Sequence, residues 1–246
     1  MVNKSHSEQN AFQFQTLGVV HSVYKEKFGT PRQPGLVPLA RAEIEVMPPY
    51  DVDEAFRGLE SVSHVWIVFV FHQSQREAWR PTVRPPRLGG NRRLGVFATR
   101  SNFRPNPIGL SLVRLHGLER KGGRLILTIS GADLIEGTPV LDIKPYIPYA
   151  DRAEDAYTGI ADMAPLALDV RFSDEAVIQL AHLVPGKADE FRALIQSILS
   201  YDPRPAYQGN ESESRQYGCR VDELNVLWTV VDGVVQVQGI EKFHES

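Results

Sequence analysis

The stretch RLGGNRRLGVFATRSNFRPNPIGLSLVRL, from Arg87 to Leu115, concentrates the residues of this chain that can do chemistry. Eight arginines, no lysine and one acid, Glu77, lie between Arg76 and Arg104. That segment carries +7, and the overall charge of −3 leaves the remainder at −10. A guanidinium pairs with carboxylate or phosphate through two parallel hydrogen bonds, which an ammonium cannot do. An arginine-only patch on an acidic body points to a polyanion or another anionic ligand. A solvated arginine-rich loop is the alternative. In the FRPNPIG run the prolines fix φ and remove donors, so the loop is stiff and its remaining polar groups are placed in advance. A binding loop and a rigid corner without ligand both suit that.

The elements that must position this segment read as short strands. Residues 14–22, 41–47, 64–71, 95–100, 109–115, 124–130 and 140–146 are apolar or alternating runs. The prolines and glycines of residues 24–36 make a loop, and residues 51–61 predict a short helix capped by Asp51 or Asp53. Little helix separates the strands, which favours a closed or sandwiched β unit over βαβ repeats. The texture changes near residue 150, where residues 149–165 are polar and mixed, as in a linker. Beyond them, Phe191, Leu194, Ile195, Ile198 and Leu199 fall on one helical face. The helix stops at the DPRP run, because proline cannot continue it. Asp232-Gly233 between alternating apolar residues predicts a hairpin. The expected fold class is α+β: a mainly-β N-terminal domain over residues 12–150 and a small α+β C-terminal domain over residues 165–243.

Composition narrows the function classes. With 42% hydrophobic and 23% charged residues the chain has the make-up of a soluble globular protein. The single cysteine, Cys219, excludes an internal disulfide framework and a cysteine-rich zinc site. A polar N-terminus without a signal-peptide core, and a longest apolar run (Val65 to Phe71) far too short to span a bilayer, lead us to expect a cytoplasmic protein with no membrane contact. No glycine fingerprint of a dinucleotide fold, Walker loop, His-Glu-x-x-His, deaminase zinc signature or Gly-x-Ser-x-Gly elbow is present. His64 and His72 flank an apolar strand without a third ligand nearby, so no metal is expected. An enzyme built on this chain would draw its site from loops on a β scaffold.

The strings PRQPGL, HVWIVFVFHQ, RPPRLGGNRRLGVFATRSNFRPNPIGLS, GTPVLDIKPYIPYAD and DPRPAY occur in this order over nearly the whole chain. Together they resemble the TrmO (TsaA/YaeB) family of tRNA methyltransferases. One departure is Glu136 before GTP, where aspartate is expected; the charge is kept. The resemblance implies a homodimeric β-barrel enzyme that binds S-adenosylmethionine without a Rossmann fold and uses no metal. It would methylate N6 of threonylcarbamoyl-adenosine beside the anticodon, at position 37, of threonine tRNA.

By the same resemblance, donor contacts would fall on Arg32, Gln33, Pro34, Gly35 and Leu36, on His72 and Gln73, on Arg100 and Leu110, and on the turn Ser130, Gly131, Ala132 and Asp133. The chemistry suits the donor. Arg100 can grip a carboxylate, or serve a surface ion pair instead. Gln73 can read an adenine edge. The SGAD turn offers free backbone groups, and Asp133 can accept ribose hydroxyls, balance positive charge, or bond its own backbone. His72 is as readily a structural histidine. The acceptor nitrogen has a delocalised lone pair and must lose a proton, so a general base helps, typically by roughly 10²–10⁴-fold. Asp142, Tyr149 and Asp202 are the candidates, and Asp142 has Lys144 nearby as an ion-pair partner. Arg84, Arg87 and Arg92 would face RNA. Arg204 and Tyr207 would bind phosphate and stack on an unpaired base, or else pack as a helix stop.

Overall fold

Burial alternates from residue to residue along most of the longer N-terminal strands, so each has one face to bury. A computed structural model describes residues 11–74, 79–85, 93–159, 165–204 and 215–244. In chain order the N-terminal strands are β1 (Gly18–Ser22), β2 (Arg41–Val46), β3 (His64–Val70), the two-residue β4 (Thr82–Val83) and β5 (Leu94–Gly95), β6 (Ile108–Lys121), β7 (Arg124–Ser130) and β8 (Pro139–Pro145). Six of them close into a barrel in the order β1-β2-β7-β6-β3-β8, while β4 and β5 pair as a separate ribbon. Every barrel pairing is antiparallel, including the closing pair β1–β8.

Val65, Ile67 and Phe69 of β3, Ile44 and Val46 of β2, and Leu125, Leu127 and Ile129 of β7 meet inside. Full burial of such a side chain contributes about 1.5–3 kcal/mol. A barrel this narrow is filled by its own side chains, so a ligand must bind at an end. The topology says which. The loops joining β1 to β2, β3 to β6 and β7 to β8 all open at the same end, because β1, β3 and β7 run one way around the barrel and β2, β6 and β8 the other.

The C-terminal region begins after a one-turn helix, α1 (Pro148–Asp151), and comprises β9 (Asp169–Phe172), α2 (Asp174–Leu183), α3 (Ala188–Ser200), β10 (Tyr217–Val221), β11 (Leu224–Val231) and β12 (Val234–Lys242). Its sheet runs β10-β11-β12-β9, with β9 parallel to β12. The expected hairpin is present: Asp232 (φ 51°) and Gly233 (φ 77°) both take the left-handed conformation its tight turn needs. The predicted face of α3 is buried through Leu194, Ile195, Ile198 and Leu199.

The core of this region does not stop at the domain boundary. Tyr24, Val37 and Ala40, from the loop between β1 and β2, belong to the same buried cluster as Trp228, Ile195 and Leu199. The Asp222 amide donates to the Val23 carbonyl at 2.7 Å, and Tyr24 bridges Val221.

Several local expectations differ from the structure. Residues 51–61 form two short 3-10 turns, Asp53–Phe56 and Leu59–Ser61, in place of one helix. Gly58 at φ 95° breaks the run, and no side chain caps either turn. Residues 95–100 are not a strand: pairing ends at Gly95, and a 3-10 turn follows over Val96–Ala98. β1 starts at Gly18, not residue 14, and β6 runs on to Lys121. α2 and β10 are among the elements not expected from the sequence. α2 is signalled by Ser173, whose Oγ accepts the Ala176 amide at 3.1 Å as an N-cap, and YGCRV, the sequence of β10, by Tyr217, Cys219 and Val221 alternating with Gly218 and Arg220. Among the described residues no helix is long and apolar enough to cross a membrane.

A charged network ties the barrel end to the C-terminal region. His21 lies between Glu136 (3.0 Å) and Glu45 (3.1 Å), and Lys25 reaches both Glu136 (3.0 Å) and Asp222 (3.8 Å). Burial pulls the His21 imidazole down, but hydrogen bonds and charge from both carboxylates outweigh it, and its pKa ends above the ordinary 6.5. His21 therefore adds stability that is fully present below about pH 6.5 and disappears as pH rises through its folded value. Glu136 and Glu45 are held below the ordinary 4.5, so their share is lost as pH falls through their folded values. Thermal melts of His21→Gln are expected to show a deficit against the wild type near pH 5.5 that vanishes by about pH 8.5. A deficit independent of pH would show that His21 contributes by packing alone.

Candidate active site

The open barrel end forms a cleft of about 2140 Å³, walled on the far side by Ile198, Tyr201 and Pro203 of the C-terminal region. Single ligand pockets run to roughly 300–1,000 Å³, so there is space for a nucleoside donor and a second nucleotide together. Phe69, Phe71, Leu36 and Leu134 supply apolar lining; Lys27, Arg32, Arg80, Arg84, Arg93 and Arg100 supply positive charge.

Among the described residues, Asp133 is the one acid in the lining. It follows Gly131, which sits at φ 75° with its amide bonded to the Ala40 carbonyl (3.1 Å) and its own carbonyl accepting from the Gly35 amide (2.8 Å). The turn thus splices the PRQPGL loop to the end of β7. Burial pushes the Asp133 carboxyl above its ordinary value, against a hydrogen bond from Ser111 Oγ, its own backbone and the charge of Arg100. Behind it, the Tyr24 hydroxyl is buried without a hydrogen-bond partner among the described residues, and burial together with the Asp133 charge keeps it protonated. A half-satisfied carboxylate facing a cleft is fit to receive a cationic or hydroxyl-bearing ligand. That is the chemistry of a sulfonium nucleoside with its ammonium and ribose.

The other expected donor residues gather around it. Arg100 donates to Gln33 Oε1 at 2.6 Å, joining two loops far apart in sequence. His72 and Gln73 sit where β3 ends, and the Gln73 carbonyl accepts from Lys27 Nζ at 2.5 Å. Burial, reinforced by the Lys27 charge and opposed by a backbone hydrogen bond, lowers the His72 pKa, so the imidazole is neutral near pH 7 and can accept a proton. The floor depends on Gly109: a Cβ there would lie 2.2 Å from the Phe69 ring, which packs edge-on against Phe71 at 5.0 Å. Only a residue without a side chain lets β6 pass Phe69 in its present position.

Arg32, Gln33, Leu36, His72, Gln73, Arg100 and Asp133 are therefore brought together, as is Arg84 on the rim. Pro34, Gly35, Ser130, Gly131 and Ala132 do not line the cleft. The turn's expected free backbone groups are engaged at Gly131, Ser130 Oγ meets His116 Nε2 at 2.8 Å, and Ala132 is in the barrel core. Leu110 is on the outer wall, in one cross-strand row with Val68 and Asp142. Asp142 is paired there with Lys144 at 2.7 Å, and Tyr149, 91% exposed, also lies outside the cleft.

Asp202 and Arg204 hold each other through two 2.8 Å contacts, with Arg204 only 8% exposed, and the Arg204 carbonyl accepts from Arg32 at 2.6 Å. Arg87, Arg92 and Tyr207 lie outside the described residues. Sequence reasoning missed Trp79 and Phe97, whose signal was aromatic residues interleaved with arginines, and Tyr201 and Lys27, which only the docking of distant segments brings in.

Known proteins resemble this chain over nearly its whole length. The tRNA-methyltransferase O N-terminal domain family matches residues 19–152, and the TrmO C-terminal domain family matches residues 165–243. A tRNA (adenine(37)-N6)-methyltransferase of Escherichia coli (strain K12) is 48% identical over 94% of this chain and 99% of its own length. A Pseudomonas aeruginosa protein, 52% identical over 86% of this chain and 90% of its own length, carries, as an inference, the name of an S-adenosylmethionine-dependent methyltransferase. The crystal structure of TrmO from Pseudomonas aeruginosa superposes with a TM-score of 0.76 at 40% identity, covering 95% of this chain and 99% of that one.

Proposed function

We propose, from the premise that this chain belongs to the TrmO family of tRNA methyltransferases, that it methylates N6 of adenosine 37 in tRNA using S-adenosylmethionine. Within that activity we take the acceptor to be threonylcarbamoyl-adenosine in threonine tRNA, and the working form to be a cytoplasmic homodimer. The observation that carries the reading is the convergence of loops from three strand junctions on one desolvated carboxylate, Asp133, beneath an arginine rim. The exposed side chains of Ile108 and Leu110 on the outer wall are the surface we assign to a second copy.

When bound, the donor supplies a methyl group activated on sulfonium sulfur. The chain's own residues orient and desolvate. Asp133 faces the donor's positive end, Arg100 with Gln33 grips its carboxylate, and the end of β3 presents Gln73 to the base. Holding reacting atoms about 3–3.5 Å apart and aligned lowers the barrier by several kcal/mol without chemical assistance. The N6 proton needs an acceptor, and neutral His72 is the cleft residue fit for it. Asp142, on the outer wall, and Tyr149, on α1 outside the cleft, would serve only across a subunit contact. Asp202 would serve only if freed from Arg204.

The test is transfer of tritiated methyl from the donor to total tRNA taken from a strain lacking the activity. Label at N6 of position 37 in the threonine fraction is expected. Label in no tRNA overturns the activity, and label confined to other isoacceptors overturns only the choice of acceptor.

A further inference from the structure

We propose that Trp79 and Phe97 form a stacking shelf at the cleft rim for an unpaired nucleobase flanking the target adenosine; this deepens, and rests on, the tRNA reading above. Both rings line the cleft, and both are exposed, Trp79 by 51% and Phe97 by 71%. They lie 6.3 Å apart with 38° between their planes, so together they make a shelf and not a parallel slot.

The shelf is built to stay in place. The β4–β5 ribbon holds it, and the Val96 amide bonds the Pro81 carbonyl at 2.9 Å. The guanidinium of Arg104 lies over the Phe97 ring, 5.6 Å from its centre. That same group donates to the carbonyls of Thr99 (2.7 Å) and Val96 (3.3 Å), so Arg104 is a bracket for the turn that carries Phe97. Two aromatic rings left open to water on a rigid mount need an occupant.

The surroundings choose it. Exposed Arg80, Arg84 and Arg93 line the same rim. Aromatic rings interleaved with arginines suit a single-stranded nucleic acid, in which bases stack while phosphates run along the cations. A protein partner with an apolar face would leave those guanidiniums unmatched. The shelf adjoins the donor pocket within one continuous cleft, so the base it receives is a neighbour of the nucleotide being modified.

The test uses the full-length protein and a fluorescein-labelled anticodon stem-loop RNA, with affinity read by anisotropy at one fixed salt concentration. Trp79→Ala and Phe97→Ala are each expected to weaken binding roughly tenfold, in line with base–aromatic stacking, while Trp79→Phe and Phe97→Tyr stay near wild type. Donor affinity by calorimetry should not change. An RNA made abasic beside position 37 should lose the same factor on the wild type and no further on Trp79→Ala. Unchanged RNA affinity in the alanine variants, or losses that simply add, overturns the shelf. So does conversion of the double variant from dimer to monomer with RNA affinity intact, which would make the patch a subunit contact. Should the alanine variants fail to fold, undiminished wild-type binding of the abasic RNA overturns it as well. Wild-type methyl transfer to intact tRNA is read separately, so the shelf can fail while the enzymatic reading stands.

Discussion

Replacing Asp133 by asparagine is expected to weaken donor binding by about 10–100-fold while leaving the protein at least as stable as before. The carboxylate is the acid in the cleft lining, and burial holds it above its ordinary pKa despite Ser111 and Arg100. A hydrogen bond to a charged group contributes about 1.5–3 kcal/mol, which sets the size of the loss. Stability should move the other way. A carboxyl whose pKa is raised by folding opposes folding at any pH above its unfolded value, and asparagine removes that penalty. Calorimetry with S-adenosylmethionine and with its demethylated product, together with thermal melts at pH 7, checks both parts. If Asp133 faces the sulfonium, the variant also loses its preference for the charged donor over the neutral product; equal losses would place it on the ribose or the ammonium. Undiminished donor affinity would remove Asp133 from the site.

The second large effect is expected from Arg204→Ala, and it separates two roles for that residue. The sequence suggested a phosphate contact. The structure buries the guanidinium against Asp202 and uses the Arg204 carbonyl to hold Arg32 of the PRQPGL loop. Breaking a fully buried pair from one side costs about 3–5 kcal/mol. Asp202 retains 30% side-chain exposure, so about 2–3 kcal/mol is expected here, or roughly 4–12 °C in melting temperature for a chain of this size. The substitution keeps the backbone carbonyl that holds Arg32, so donor affinity should fall only as far as loss of the Asp202 contacts lets that carbonyl shift. Arg204→Lys keeps the charge without the two-pronged grip and should recover only part. If Arg204 serves RNA instead, melting temperature and donor affinity will hold, and the salt dependence of tRNA binding will drop by about one unit of slope.

Much of the barrel was legible from local pattern. HVWIVFV and RLILTIS are apolar, rich in β-branched residues, and bounded by polar or glycine residues, and they appear as β3 and β7 within one residue. The helix face through Leu194 and Ile198 and the Asp232-Gly233 turn were equally plain, because both depend on neighbours in the chain. The stretch at residues 95–100 was not. GVFATR has strand composition, but Val96 is buried under Pro81 and Phe97 is turned out to the cleft, which only the ribbon and Arg104 enforce.

Residue types and order by themselves determined the family, the mainly-β architecture with its α+β appendage, and the concentration of arginine that marks an anionic partner. These follow from short-range sterics and side-chain chemistry. Which groups face one another was decided by the closure of the barrel. Strand parity sends Ser111 of β6 to the interior end, where it meets Asp133 of the turn after β7, while Leu110 and Asp142 go to the outer wall. The packing of Tyr24, Val37 and Ala40 into the C-terminal core then sets the loop that frames the cleft. Contacts between residues more than a hundred positions apart depend on the summed register of six strands, and no local stretch of sequence carries that sum.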